Sequence, residues 1–128
     1  MKHKILVVED DKNISLALTT RLRAAGFDVV NAFDTVAAVS AARTEKPSLV
    51  LLDLMLPAGG GLKVAERLRG MAATSTTPIF IITASKDPEY RDKALVHGIT
   101  GYFEKPYDAA ELIQAIHLEL GASAAPRQ

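Results

Sequence analysis

Leu49-Val50-Leu51-Leu52-Asp53-Leu54-Met55-Leu56-Pro57 is the stretch on which the reading of the whole chain turns. Four apolar residues run up to an aspartate, and a proline and three glycines, Gly59, Gly60 and Gly61, follow. A short unbroken apolar run bounded by turn residues is a strand buried on both faces. Its carboxylate then stands at the C-terminal rim of a sheet, where open α/β folds bind their ligands. Taken alone, Asp53 fits equally well as a cap for the next turn. What the other strands bring to the same rim decides between the two.

Upstream, Ile5-Leu6-Val7-Val8 is a second buried strand, ending in Glu9-Asp10-Asp11. Asp11 is placed to cap a helix from Lys12 to about Ala25, with Ile14, Leu18, Leu22 and Ala25 at helical spacing and Gly26 as its stop. Phe27 to Phe33 reads as a strand around Val29-Val30. Asp34 caps a helix from Thr35 to about Glu45, packed through Val36, Val39 and its alanines, which Pro47 closes. Downstream of the glycines, Leu62, Ala65 and Leu68 mark a helix ending near Gly70. Met71 to Thr77 is a loop, and Pro78 to Thr83 a buried strand. Asp87-Pro88 opens a helix that runs to about His97. Thr100 to Glu104 is a short strand. Asp108 with Glu111 resembles a capping box for a last helix that carries Leu112, Ile113, Ile116 and Leu120 inward. Gly121 to Gln128 is an Ala-, Ser- and Pro-containing tail or the start of a linker.

Five strands alternating with five helices imply parallel βαβ units with helices on both faces. The expected order is the doubly wound, flavodoxin-like 2-1-3-4-5, one domain over residues 1–120 with 121–128 as the tail. The chain of 128 residues is long enough to bury a core, and its 48% hydrophobic and 23% charged content is that of a globular domain. Fifteen basic residues balance fifteen acidic ones, which argues against nucleic acid as a direct partner. With no cysteine there is no disulfide, thiolate metal site or cysteine nucleophile. The four apolar residues after Met1-Lys2-His3-Lys4 are too few for a signal peptide or membrane span, so the expectation is a cytoplasmic protein. Met1 reads as a natural start, and the expectation leans to a stand-alone domain.

In that topology Glu9, Asp10 and Asp53 converge at neighbouring strand ends. Clustered carboxylates repel one another unless a cation joins them, and hard oxygen ligands suit Mg²⁺ or Mn²⁺. Thr83, followed by Ala84 and Ser85, and Lys105 reach the same rim from the fourth and fifth strands. A carboxylate nucleophile, a metal site, a hydroxyl and a lysine make a phosphoryl-transfer arrangement. Each alone has an ordinary explanation: a β-forming Thr, an exposed Lys, an acidic helix cap. Their joint placement does not. His3, His97 and His117 are dispersed and read as surface or helix-end residues.

These residues together resemble the receiver domain of two-component response regulators, the CheY-like fold, over roughly Lys4 to Leu120. Glu9-Asp10 is similar to the family's acidic pair, Asp53 to its phosphoacceptor, Thr83 to its hydroxyl residue and Lys105 to its lysine. Pro57 with Gly61 matches the segment after the acceptor, and Gly101-Tyr102 with Lys105-Pro106 the fifth-strand segment, whose Lys-Pro bond is typically cis. The resemblance implies metal held by Asp10, Asp53 and the Met55 backbone carbonyl, with Glu9, where the pattern often has Asp, acting largely through water. It implies a histidine kinase or histidine phosphotransfer protein as phosphoryl donor, and slow self-dephosphorylation with Met55, Ala84 and Ser85 flanking the phosphoryl group. It implies a Thr83–Tyr102 switch reading out through the fourth helix, fifth strand and fifth helix. Because Ile99-Thr100-Gly101 lacks the paired aspartates of DNA-binding relatives, the expected output is a heterologous protein partner, the chain being a monomer or a weak phosphorylation-dependent dimer. A haloacid-dehalogenase-like phosphatase is disfavoured by Met55 where that family places a second aspartate. A flavodoxin is disfavoured by carboxylates where a phosphate cradle belongs. A phosphorylation-independent pseudo-receiver is disfavoured because every key position is filled.

Overall fold

The computed structural model describes residues 2–124. Along the chain it has β1 (Lys4–Val8), α1 (Lys12–Ala24), β2 (Asp28–Ala32), α2 (Thr35–Glu45) and β3 (Leu49–Asp53). After a single 3₁₀ turn (Pro57–Gly59) come α3 (Gly60–Arg69), β4 (Ile79–Thr83), α4 (Pro88–Leu95), β5 (Gly101–Glu104) and α5 (Ala109–Ala124). All strand pairings are parallel, in the order β2-β1-β3-β4-β5. This is the doubly wound sheet that the strand–helix alternation predicts.

Strand periodicity sorts the core into two layers. Leu6, Val8, Val50, Leu52, Ile79 and Ile81 face Ala38, Ala42, Val64, Ala65 and Leu68 on one side of the sheet. Ile5, Val7, Leu49, Leu51, Phe80 and Ile82 face Leu18, Leu22, Leu112, Ile116 and Leu120 on the other. β3 and β4 are buried along their full length, whereas the edge strands β2 and β5 are mostly half-exposed. That is why the central strands read as continuous apolar runs and the edges do not.

The helix starts follow the expected chemistry. Asp11 accepts from the backbone N–H of Asn13 and Ile14, Asp34 from Ala37, Asp87 from Glu89, and Asp108 from Ala110 and Glu111. Each satisfies donors that a helix leaves unpaired at its first turn. The glycine run is used for closeness. A Cβ on Gly61 would collide with the backbone carbonyl of Leu54, so only glycine lets α3 begin this near the end of β3.

Several expected details differ. Ile14 is exposed, and the inner face of α1 is instead Ser15, Leu18, Thr19 and Leu22. The two hydroxyls are tolerated there because the Asn31 amide donates to Ser15 Oγ at 2.8 Å and Thr19 Oγ1 at 2.9 Å. Val36 is 80% exposed, and α2 packs through Ala38, Val39 and Ala42. β2 is shorter than Phe27–Phe33 by a residue at each end, because only Asp28 to Ala32 pair with β1. α4 stops at Leu95 rather than His97. The terminal helix, expected to end near Leu120 before a tail, continues to Ala124, since Gly121, Ala122 and Ser123 do not by themselves break a helix. The rest of the expected tail, 125–128, lies outside the described residues.

Candidate functional site

Strand register builds the site. Val8 pairs with Leu52, so Glu9 and Asp53 come next on adjacent strands. Asp53 pairs with Ile82, and Thr83 follows. Thr83 pairs with Glu104, and Lys105 follows. One residue step beyond each pairing therefore gathers a carboxylate pair, a hydroxyl and an ammonium at the C-terminal rim. Glu9, Asp53 and Thr83 are buried and Asp10 is exposed.

One carboxylate oxygen from each of Glu9, Asp10 and Asp53 lies within 4.8 Å of the others. Lys105 Nζ donates to Glu9 Oε1 at 3.0 Å and to Asp53 Oδ2 at 3.5 Å. The remaining oxygens are held by backbone donors, Asp11 N–H to Glu9 Oε2 at 3.1 Å and Met55 N–H to Asp53 Oδ1 at 2.9 Å. Thr83 Oγ1 accepts from the Ser85 N–H at 3.0 Å. Met55 is exposed, as is Ala84, and Ser85 is half-buried, all on the loops leaving β3 and β4. The Lys105–Pro106 peptide is cis.

The electrostatics follow from this crowding. Burial raises the Glu9 ionisation above the ordinary carboxylate value, and the Asp53 charge adds to the rise. The Asp11 N–H and the Lys105 ammonium oppose it. Burial pulls Lys105 down, yet its bond to Glu9 and the charges of Asp53 and Glu9 outweigh this and leave it raised. The ammonium is thus firmly held and positive. Three carboxylates against one lysine leave a net negative pocket of hard oxygen donors, the donor set that a small divalent cation satisfies.

Glu9, Asp10, Asp53 and Lys105 are brought together, with Lys105 nearer Glu9 than Asp53, and Thr83 stands at the same rim by strand register. Tyr102 stands apart, on β5 opposite Ile81, half-buried against the α2–α4 layer of the core. The Arg91 guanidinium lies 5.4 Å from its ring centroid. Tyr107 is a neighbour of the site that no sequence pattern marks beyond its place directly after Lys105-Pro106. It packs partly into the α1–α5 layer, and burial raises its hydroxyl's ionisation while the nearby Lys105 lowers it.

A five-stranded 2-1-3-4-5 sheet carrying this acidic and lysine cluster at its rim defines a phosphoacceptor module. Residues 5–117 match the response regulator receiver domain model, and the chain belongs to that family. Its members are phosphoacceptors of two-component signalling rather than conventional enzymes. Among curated relatives, the chain is 39% identical over 120 residues to the DNA-binding response regulator MtrA of Mycolicibacterium paratuberculosis, covering 94% of this chain and 52% of that protein. It is 40% identical over 114 residues to the alkaline phosphatase synthesis transcriptional regulatory protein PhoP of Bacillus subtilis, covering 88% and 46%. The chain thus spans about half the length of these relatives. Among solved structures, the receiver domain of Francisella response regulator 1452 superposes with a TM-score of 0.85 at 28% identity, covering 95% of this chain and 99% of that one. The receiver domain of sensor histidine kinase PA1611 from Pseudomonas aeruginosa, which holds a magnesium ion in its active-site cleft, gives 0.85 at 27% identity, covering 94% and 99%. Among the described residues no helix is long and apolar enough to cross a membrane.

Proposed function

We propose that Asp53 accepts a phosphoryl group from a phosphohistidine on a sensor kinase or histidine phosphotransfer protein. The observation that carries this is the Lys105 ammonium bridging Asp53 and Glu9 beside the exposed Asp10. An Asp53 carboxylate oxygen attacks phosphorus, the P–N bond breaks, and its electron pair returns to the imidazole. Lys105 sits where it neutralises a phosphoryl oxygen, and Thr83 has a hydroxyl proton to donate to another. Asp10, Asp53 and the Met55 carbonyl would hold Mg²⁺ (or Mn²⁺), with Glu9 acting through water. When bound, that ion supplies positive charge to the transferring group. Met55, Ala84 and Ser85 flank the acceptor and govern how readily water reaches it.

Output then runs through Thr83 and Tyr102. By strand alternation both belong to the α2–α4 side of the sheet, with Tyr102 beside Ile81, two residues before Thr83. Drawing the Thr83 hydroxyl toward the phosphoryl group opens space for the Tyr102 ring and biases one arrangement of α4, β5 and α5 over the other. The partner at that face is another protein, a reading supported by the zero formal net charge of this stretch. The module works in the cytoplasm as a monomer or a weak phosphorylation-dependent dimer.

Intact-protein mass spectrometry after acetyl phosphate and Mg²⁺ tests the acceptor. Wild type gains one phosphoryl group and Asp53→Asn gains none. Equal labelling of both places the acceptor elsewhere, and labelling of neither rejects the assignment.

A further inference from the structure

Helix α4 is held differently at its two ends. Ala94 is the one fully buried residue of its eight, Tyr90 packs half-buried against the same core layer, and Val96, just beyond the helix, is 78% exposed, so few apolar contacts fix its position. Its C-terminal end is fastened by one side chain from another element. Arg69, the last residue of α3, donates from Nε to the His97 carbonyl at 2.7 Å and from Nη2 to the Gly98 carbonyl at 3.4 Å. Its Nη1 donates to the carbonyls of Thr74 and Ser75 at 3.0 and 3.3 Å. A guanidinium on the carbonyls after a helix end also complements the negative end of the helix dipole. Just beyond, the Thr100 N–H donates to the Ile79 carbonyl at 3.0 Å, which pins the same end to the sheet.

Apart from Tyr90 on the core, the N-terminal end has local ties, and they run in series back to Thr83. Ser85 N–H donates to Thr83 Oγ1 at 3.0 Å, Asp87 N–H to Ser85 Oγ at 3.1 Å, and Glu89 N–H to Asp87 Oδ1 at 2.9 Å. The exposed Lys86–Glu104 pair at 3.4 Å adds little hold. This end also carries Arg91 over the ring of Tyr102.

We propose that Arg69 is the fulcrum of α4: a displacement of Thr83 swings the Pro88–Arg91 end, while His97 and Gly98 stay where the guanidinium holds them. This rests on the Thr83 switch proposed above and adds which half of the helix moves and what stops the other half. Arg69 is a positioning residue, since it acts through backbone carbonyls far from the acceptor. The arrangement concentrates the motion of a helix about 12 Å long at the end bearing Arg91 and Tyr102.

Backbone amide NMR shifts on adding beryllofluoride and Mg²⁺ test this in wild type, Arg69→Met and Arg69→Lys. In wild type, shifts at Met55 and Ser85 report binding, those at Glu89 and Arg91 are large, and those at His97 and Gly98 are several-fold smaller. In Arg69→Met the changes spread to Leu95, His97 and Gly98, and Arg69→Lys, which keeps a charged donor but not the fork, falls between. Wild-type changes at His97 and Gly98 as large as those at Arg91 overturn the fulcrum, as does an unaltered distribution in Arg69→Met. If Arg69→Met does not fold, wild type and Arg69→Lys decide by the same criteria. Binding shifts with a silent α4 refute the coupling and the fulcrum but leave the acceptor assignment intact. No shift at Met55 or Ser85 overturns the acceptor assignment, and the fulcrum with it.

Discussion

Replacing Lys105 with methionine keeps most of the side chain's bulk and removes its charge. The Lys105 side chain is 22% exposed, whereas those of its partners Glu9 and Asp53 are only 2% and 6% exposed. Deleting one member of a buried charge pair costs about 3–5 kcal/mol, because the other is left uncompensated. Two features place Lys105→Met at the low end. Each carboxylate keeps a backbone N–H, from Asp11 or Met55, and the lysine end touches solvent. A loss of about 3 kcal/mol corresponds to a melting temperature lower by roughly 10 °C in a domain of this size. The pH dependence has a definite sign. Glu9 is raised in the folded state, first by burial, and losing the ammonium raises it further. A raised carboxylate binds its proton more tightly when folded, so its destabilising effect is absent below the unfolded value and grows as pH climbs through the folded one. The deficit of Lys105→Met is therefore largest at neutral pH and narrows on acidification toward the ordinary carboxylate range. Thermal unfolding by circular dichroism, in chelator and across that pH range, measures it. A melting temperature within about 2 °C of wild type, against the roughly 10 °C expected, or a deficit indifferent to pH, would falsify the view that the lysine compensates the buried acids.

Three further outcomes are expected. Mg²⁺ at about millimolar concentration raises the wild-type melting temperature by binding the folded state, and Asp10→Ala removes that response while stabilising the metal-free protein; an equal Mg²⁺ response in both would exclude Asp10 as a ligand. Met55→Asn places an amide able to orient water beside the acceptor, so phosphorylated protein decays faster than wild type when followed by mass spectrometry; unchanged or slower decay counts against the flanking role. Lys46 ends α2 at φ 49°, a left-handed conformation costing a side chain about 1–2 kcal/mol, so Lys46→Gly should raise stability in urea by about 1 kcal/mol, net of the glycine's own entropic cost; no gain would mean that the lysine's other contacts offset the strain.

The strands and the rim chemistry were legible in the sequence for one reason. Leu49 to Leu52 and Ile79 to Ile82 are apolar without interruption, and only strands buried on both faces need that. Asp53 and Thr83 each directly follow such a run, so register was enough to place them at one rim, whereas Lys105 follows the short, half-exposed β5 and is placed by the strand count. Other features were not legible because their partners are distant. The inner face of α1 uses Ser15 and Thr19, which look like surface residues until Asn31 is brought beside them. Val36 sits at helical spacing yet faces outward, since the small Ala38 and Ala42 let α2 approach the sheet. Lys105 was expected at the rim, but that it lies nearer Glu9 at 3.0 Å than Asp53 at 3.5 Å is a distinction that no pattern encodes. Arg69 reads as an ordinary basic residue in a last helical turn, and nothing local shows that its four acceptors come from two separate segments.

Strand alternation in the sheet has a practical corollary. Asp53 points with Leu49 and Leu51 toward the α1–α5 side, whereas Thr83 points with Ile79 and Ile81 toward α2–α4. Thr83 is thus the rim side chain turned toward α4, while α5 lies behind Asp53, and the two helices meet only around the β5 edge. Under the proposed readout, the exposed residues of α4 can be rewritten to address a new listener without altering Glu9, Asp10, Asp53 or Lys105. Thr83→Val, which keeps the side chain's shape and removes its hydroxyl, should slow labelling by acetyl phosphate and silence α4 even in the molecules that are labelled.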